Sequence, residues 1–83
     1  MQEVCVYGKQ GCEDTRQARA HLDLLGVPYR YVDLGRDSQA EAWVRAHNGG
    51  RLLTPTVEVG QRILAAPGDA ELERELRGAG AMR

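Results

Sequence analysis

Cysteine is scarce in this 83-residue chain: Cys5 and Cys12 are the only two. Two are too few for a disulfide framework, and their separation matches no common zinc spacing. His21 and His47 lie far from both in sequence, so no metal site is expected. Positive charge is not in excess either. Eleven Lys and Arg against twelve Asp and Glu leave a net charge of −1, without the basic footprint that nucleic acid or an anionic membrane requires. No apolar run is long enough to span a bilayer. Met1-Gln2-Glu3-Val4 shows no basic stretch followed by an apolar one, so no signal peptide is expected. These absences predict a cytoplasmic protein, where thiols stay reduced. Repeats, linkers and low-complexity segments are missing, and residues 1–83 read as one domain, near the lower size limit for a core without staples.

What is present is a regular alternation of strand and helix signals. Val4-Cys5-Val6-Tyr7 reads as a strand ending at Gly8, with Cys5 as a small buried hydrophobe inside it. Glu13 to Leu25 reads as a helix, with Ala18, Leu22 and Leu25 at helical spacing and Gly26-Val27-Pro28 as the stop. Tyr29 to Leu34 is a second strand, parallel to the first because a helix separates them. Ser38-Gln39-Ala40-Glu41 is a capping box that starts a second helix. Ala40, Trp43, Val44 and His47 form its apolar side, with His47 partly buried, and Asn48-Gly49-Gly50 ends it. Thr56-Val57-Glu58-Val59 and Arg62-Ile63-Leu64 alternate as a hairpin around Gly60-Gln61. Pro67-Gly68-Asp69 opens a last helix with Leu72 and Leu76 inward and Glu73 able to pair with Arg77, and Gly78 ends it. Residues 79–83 read as a frayed tail. The fold class is therefore α/β, β-α-β-α-β-β-α: a four-stranded mixed sheet flanked by three helices.

Cys12 stands between the first strand and the first helix. A thiol at a helix start faces the positive end of the peptide dipoles, which favours the reactive thiolate. Lys9, the only lysine, lies three residues upstream and is placed to add positive charge. Arg16 would add a weaker one, and Glu13 and Asp14 oppose both. Position 15, where a Cys-x-x-Cys redox motif carries its second cysteine, holds Thr15. One nucleophilic thiol without a resolving partner is the main functional signal.

Tyr7-Gly8-Lys9-Gln10-Gly11-Cys12 is similar to the Tyr-x-Lys-x-x-Cys segment of glutaredoxins, in the thioredoxin-like superfamily. Thr54-Pro55-Thr56-Val57 resembles the cis-proline loop of that family. Asn48-Gly49-Gly50 and Ala66-Pro67-Gly68-Asp69-Ala70-Glu71-Leu72 parallel segments of its mycoredoxin branch. The resemblance covers nearly the whole chain. It implies a monothiol thiol–disulfide oxidoreductase of Cys-x-x-Thr type. Cys12 would reduce mixed disulfides between client proteins and a low-molecular-weight thiol, namely glutathione, mycothiol or bacillithiol. It implies a small-thiol site at Tyr7, Lys9, Arg51, Thr54, Pro55, Gly68 and Asp69. It also implies a monomer without bound cofactor, partnered by S-thiolated proteins and by the reductase of the small thiol's disulfide. Ala65-Ala66 stand where glutaredoxins carry a glycine pair, and Leu52-Leu53 replace a polar pair, so the identity of the thiol stays open. The alternatives are a non-enzymatic iron–sulfur carrier or thiol-binding adaptor, and the N-terminal module of a glutathione transferase, which would need a second helical domain.

Overall fold

The computed structural model describes residues 3–82. Along the chain run β1 (Val4–Gly8), α1 (Glu13–Leu25), β2 (Arg30–Asp33), α2 (Ser38–His47), β3 (Thr56–Val59), β4 (Arg62–Ala65) and α3 (Asp69–Gly78). The sheet order is β2-β1-β3-β4. β1 is parallel to β2, and β3 is antiparallel to both β1 and β4. The element order and the mixed four-stranded sheet are those predicted. β2 is shorter than the apolar run suggested, but Leu34 N–H still donates to Gly8 O at 2.8 Å and extends its ladder.

Side chains alternate across the strands, so β1 divides its residues between two layers. Val4 and Val6 join Val57, Val59 and Leu64 on the face where Leu22 of α1 and Leu72 and Leu76 of α3 complete the core. Cys5 and Tyr7 point to the other face, where the Tyr7 ring lies 4.8 Å from that of Trp43 in α2. Cys5 is buried as expected, at 5% exposure.

Four local expectations are corrected by the tertiary structure. The N-cap of α2 is Asp37, not Ser38: its Oδ1 accepts from Ala40 N at 3.0 Å. Asp caps as well as Ser, and Glu41, the second half of the expected box, binds Arg45 instead. His47 is exposed, its Nδ1 2.8 Å from Trp43 O and its ring against Trp43. Glu73 turns inward to His21 Nε2 at 3.0 Å instead of pairing with Arg77. The tail does not fray over Ala79–Met82. Gly80 takes φ 75°, Ala81 N–H reaches back to Leu76 O at 2.9 Å, and Ala79, Ala81 and Met82 pack on the core. This is a Schellman-type closure, which a left-handed glycine permits. Arg83, the last residue of the expected tail, lies outside the described residues.

Candidate active site

The link from β1 to α1 is a tight turn. Cys12 N–H donates to Lys9 O at 3.2 Å, and Gly11 takes φ 83°. A positive φ at the third position is what a type II turn demands, and glycine supplies it at no steric cost. The turn delivers Cys12 as the N-cap of α1, half-buried, with φ −84° and ψ 118°. Its side chain caps nothing, which leaves the sulfur free for chemistry.

A second segment closes on the thiol from β3. The Thr54–Pro55 peptide is cis, as the resemblance implied. Thr54 Oγ1 lies 3.3 Å from Cys12 Sγ, and Thr54 O lies 4.0 Å from it. The loop is tied down from three directions. Thr56 Oγ1 donates to Leu53 O at 2.7 Å and accepts from Asn48 Nδ2 at 3.2 Å, and Pro55 O accepts from Ala66 N at 2.8 Å. Asn48, which the sequence marks as a helix stop, therefore also anchors the active loop.

The Cys12 thiol is held below the usual cysteine range. The Thr15 hydroxyl is the largest cause, followed by the Thr54 hydroxyl and the backbone N–H of Thr15, with a smaller contribution from the N–H of Asp14. Partial burial opposes them. Donors to the charged form lower an acid's pKa, and of these groups Thr54 is the one whose side chain is in contact with Sγ. Thr15 is thus more than the vacancy left by a resolving cysteine. It is 2% exposed, it touches Gly8, and Lys9 N–H points to its Oγ1 at 3.5 Å. A hydroxyl in the first turn of a helix whose N-cap is cysteine was the available signal, and sequence reasoning passed over it.

Lys9 is exposed and lines the cleft beside Cys12, but the groups that lower the thiol do not include it. The Glu13 carboxylate, expected to oppose the thiolate, is engaged by the Arg16 guanidinium. Thr15→Val and Thr54→Val should each move the thiolate midpoint up, and Lys9→Gln should move it less than either. Ultraviolet thiolate absorbance against pH measures this; a dominant shift in Lys9→Gln would return the charge to first place.

Two clefts flank the cysteine. One of about 430 Å³ runs from Lys9 and Cys12 along α1 to β2. The other, about 160 Å³, lies between the starts of α1 and α3 and contains Asp14, Gln17, Pro67, Gly68 and Asp69. Gly68 is the N-cap of α3, without a side-chain cap. Asp69 Oδ2 lies 3.8 Å from His21 Nδ1. Of the residues expected to bind a small thiol, the structure gathers Lys9, Thr54 and Pro55 about Cys12, and puts Gly68 and Asp69 in the smaller cleft. Tyr7 is elsewhere: it lies under α2 with its hydroxyl donating to Glu58 Oε1 at 3.1 Å. Arg51 is exposed on the loop after α2. Among the described residues, no cluster of His, Cys, Asp and Glu is arranged to hold a metal ion, and no helix is long and apolar enough to cross a membrane.

Residues 4–64 match the glutaredoxin family model. A 57-residue stretch is 33% identical to mycoredoxin 1 of Corynebacterium glutamicum, covering 69% of this chain and 70% of that protein. Seventy-five residues are 36% identical to part of the tRNA-specific 2-thiouridylase MnmA of Frankia alni, spanning 83% of this chain but only 20% of that enzyme. In three dimensions the chain superposes on glutaredoxin 1 of Archaeoglobus fulgidus with a TM-score of 0.82 at 20% identity, covering 94% of this chain and 89% of the other. The family model spans most of the chain, which carries a cysteine at the start of α1 and a cis-proline loop facing it: the chain belongs to the glutaredoxin family.

Proposed function

We propose that this protein is a monothiol thiol–disulfide oxidoreductase that reduces protein–S–S–R mixed disulfides, where R is a low-molecular-weight thiol. The observation that carries the reading is Cys12: half-exposed, held toward the thiolate, and followed by Thr15 in place of a second cysteine. The Cys12 thiolate attacks the sulfur of R and expels the client protein's thiolate, which takes up a proton. The product, Cys12–S–S–R, is resolved by a second R–SH, which releases R–S–S–R and restores Cys12. Each step exchanges one S–S bond for another, and one free R–SH is consumed per client thiol released, the other R of R–S–S–R coming from the mixed disulfide.

The site for R is read on the Thr54 side. Among the described residues, Thr54 N–H and C=O make no backbone hydrogen bond, so they are free to pair with the extended backbone of a thiol peptide. The open N-terminus of α3 at Gly68 and Asp69 offers N–H groups to a carboxylate of R. Glutathione, mycothiol and bacillithiol are the candidates. S-thiolated client proteins, a disulfide reductase and a cytoplasmic setting complete the reading. Intact mass after mixing with each small-thiol disulfide tests it. One of the three should give a single adduct on Cys12, which its own reduced thiol removes. Failure of all three to react at Cys12 would overturn the reading.

The resemblance to part of a tRNA 2-thiouridylase favours a second reading, in which Cys12 carries a sulfane sulfur to a thiolating partner. A persulfide donor in the same mass experiment separates the two. A stable Cys12 persulfide, with no small-thiol adduct, would favour sulfur transfer.

A further inference from the structure

The larger cleft shares Cys12 and Thr15 with the site described above, but the rest of its lining, from Arg16 to Tyr31, has no part in that reaction. It opens on the opposite flank of α1 from the small-thiol side. Arg16, Arg19 and Asp23 recur at helical spacing along it, whereas Asp14 and Gln17 face the α3 side. Its far wall is Tyr31 of the edge strand β2 and Tyr29 just before it.

The cleft is positive on a chain that is not. Lys9, Arg16 and Arg19 line it against one acid, Asp23, while the whole chain carries a net charge of −1. Glu13 occupies Arg16, so Lys9 and Arg19 provide the uncommitted charge. Arg19 is also preorganised. Its guanidinium sits 3.9 Å from the centroid of the Tyr31 ring, and its Nε donates to Tyr29 Oη at 3.3 Å. Stacking and one hydrogen bond fix the plane and leave the terminal N–H groups available, the fork geometry that suits a carboxylate. Beneath it, the Tyr31 hydroxyl is buried without a partner among the described residues.

We propose that this cleft binds an acidic segment of the client protein, with Arg19 receiving a carboxylate near the S-thiolated cysteine. The inference rests on the oxidoreductase reading for its occupant. With R on the Thr54 side, the client's surface has the Arg19 flank left to cover. Charge complementarity then selects clients whose modified cysteine lies beside Asp or Glu.

The test uses short peptides with serine in place of the cysteine, so that binding is read without any exchange chemistry. An acidic, a neutral and a basic peptide are titrated into the protein, and amide NMR shifts are followed. The acidic peptide should bind about tenfold more tightly than the neutral one, perturb residues around Arg19, Tyr29 and Tyr31, and weaken with added salt. Arg19→Gln should bring the acidic-to-neutral ratio close to one, and Arg19→Lys should keep part of it. The variants' own spectra report that they are folded. Equal binding of the three peptides, shifts confined to the α3 side, or a ratio that survives Arg19→Gln would overturn the proposal. The same peptides with a thiolated cysteine report turnover separately. Failure there, with acidic binding intact, would count against the oxidoreductase reading and not against the cleft.

Discussion

Cys12→Ser should reduce the rate of mixed-disulfide reduction to the uncatalysed background, while Cys5→Ser should retain most of it. The two thiols have different surroundings. Cys12 is half-exposed at a helix start, with hydroxyl and backbone donors directed at its sulfur. Cys5 is 5% exposed in the second strand of the sheet order, paired across to Arg30 and Glu58. A serine hydroxyl at position 12 is far less acidic than the thiol and is not the nucleophile of an exchange that runs through sulfur. At position 5 the substitution places a hydroxyl in a buried position. The cost is stability, about 1–3 kcal/mol if the hydroxyl finds no partner. The two variants therefore fail in different ways: Cys12→Ser by activity at unchanged melting temperature, Cys5→Ser by melting temperature at largely unchanged activity. Reduction of an S-thiolated protein, coupled to consumption of the small thiol, measures the first, and thermal unfolding the second. Turnover surviving in Cys12→Ser would remove the basis of the proposed mechanism.

The second large effect is expected at Gly8, which no chemistry involves. A methyl group there would stand 2.3 Å from Thr15 Cγ2 and 2.7 Å from Thr15 Oγ1. Both distances are below contact, and Thr15 is itself buried at 2% exposure. Gly8 cannot retreat easily, because its carbonyl accepts from Leu34 N–H at 2.8 Å at the end of the β1–β2 ladder. Gly8→Ala must then push the first turn of α1 away from β1. Overpacking of this kind costs about 1–3 kcal/mol, or roughly 4–8 °C of melting temperature per kcal/mol in a domain of this size. The same displacement removes the Thr15 hydroxyl from the thiolate and opens the 3.3 Å contact between Cys12 and Thr54. The thiolate midpoint should therefore rise together with the loss of stability. Adding Thr15→Ser, which deletes the Cγ2 methyl and lets the hydroxyl rotate, should recover part of both, and less-than-additive losses in the double variant would show the coupling. An unchanged melting temperature and midpoint in Gly8→Ala would show that the strand and helix do not meet as described.

The elements were legible because each carries a local instruction. Alternating β-branched residues mark β1 and β3, Ala18 and Leu22 in α1 and Leu72 and Leu76 in α3 recur at helical spacing, and Gly26, Gly49 and Gly60 stand at chain reversals. The place of Cys12 at a helix start was legible for the same reason, since it stands directly before Glu13. The errors were also local. Asp37 competed with Ser38 for the cap of α2 and took it, and two capping residues in succession cannot be ranked without the turn that precedes them. Glu73 had Arg77 within reach along its own helix, yet His21 from α1 claims it across the interface between helices.

What the chain determined by itself was the order of elements, a cysteine at the start of α1 and a threonine three residues on, because these depend on neighbours within a few residues. What only the tertiary structure decided was the company that Cys12 keeps. Thr54 lies 42 positions away, brought to the sulfur by the antiparallel pairing of β1 with β3. Tyr7, close to Cys12 in sequence, is carried to the opposite face of the sheet, because side chains alternate along a strand. The thiol is held low by the Thr15 and Thr54 hydroxyls and by backbone N–H groups of the helix start. Lys9 is exposed, whereas Thr15 is buried and Thr54 Oγ1 stands 3.3 Å from the sulfur, and donors held in place near a charge are the ones that stabilise it.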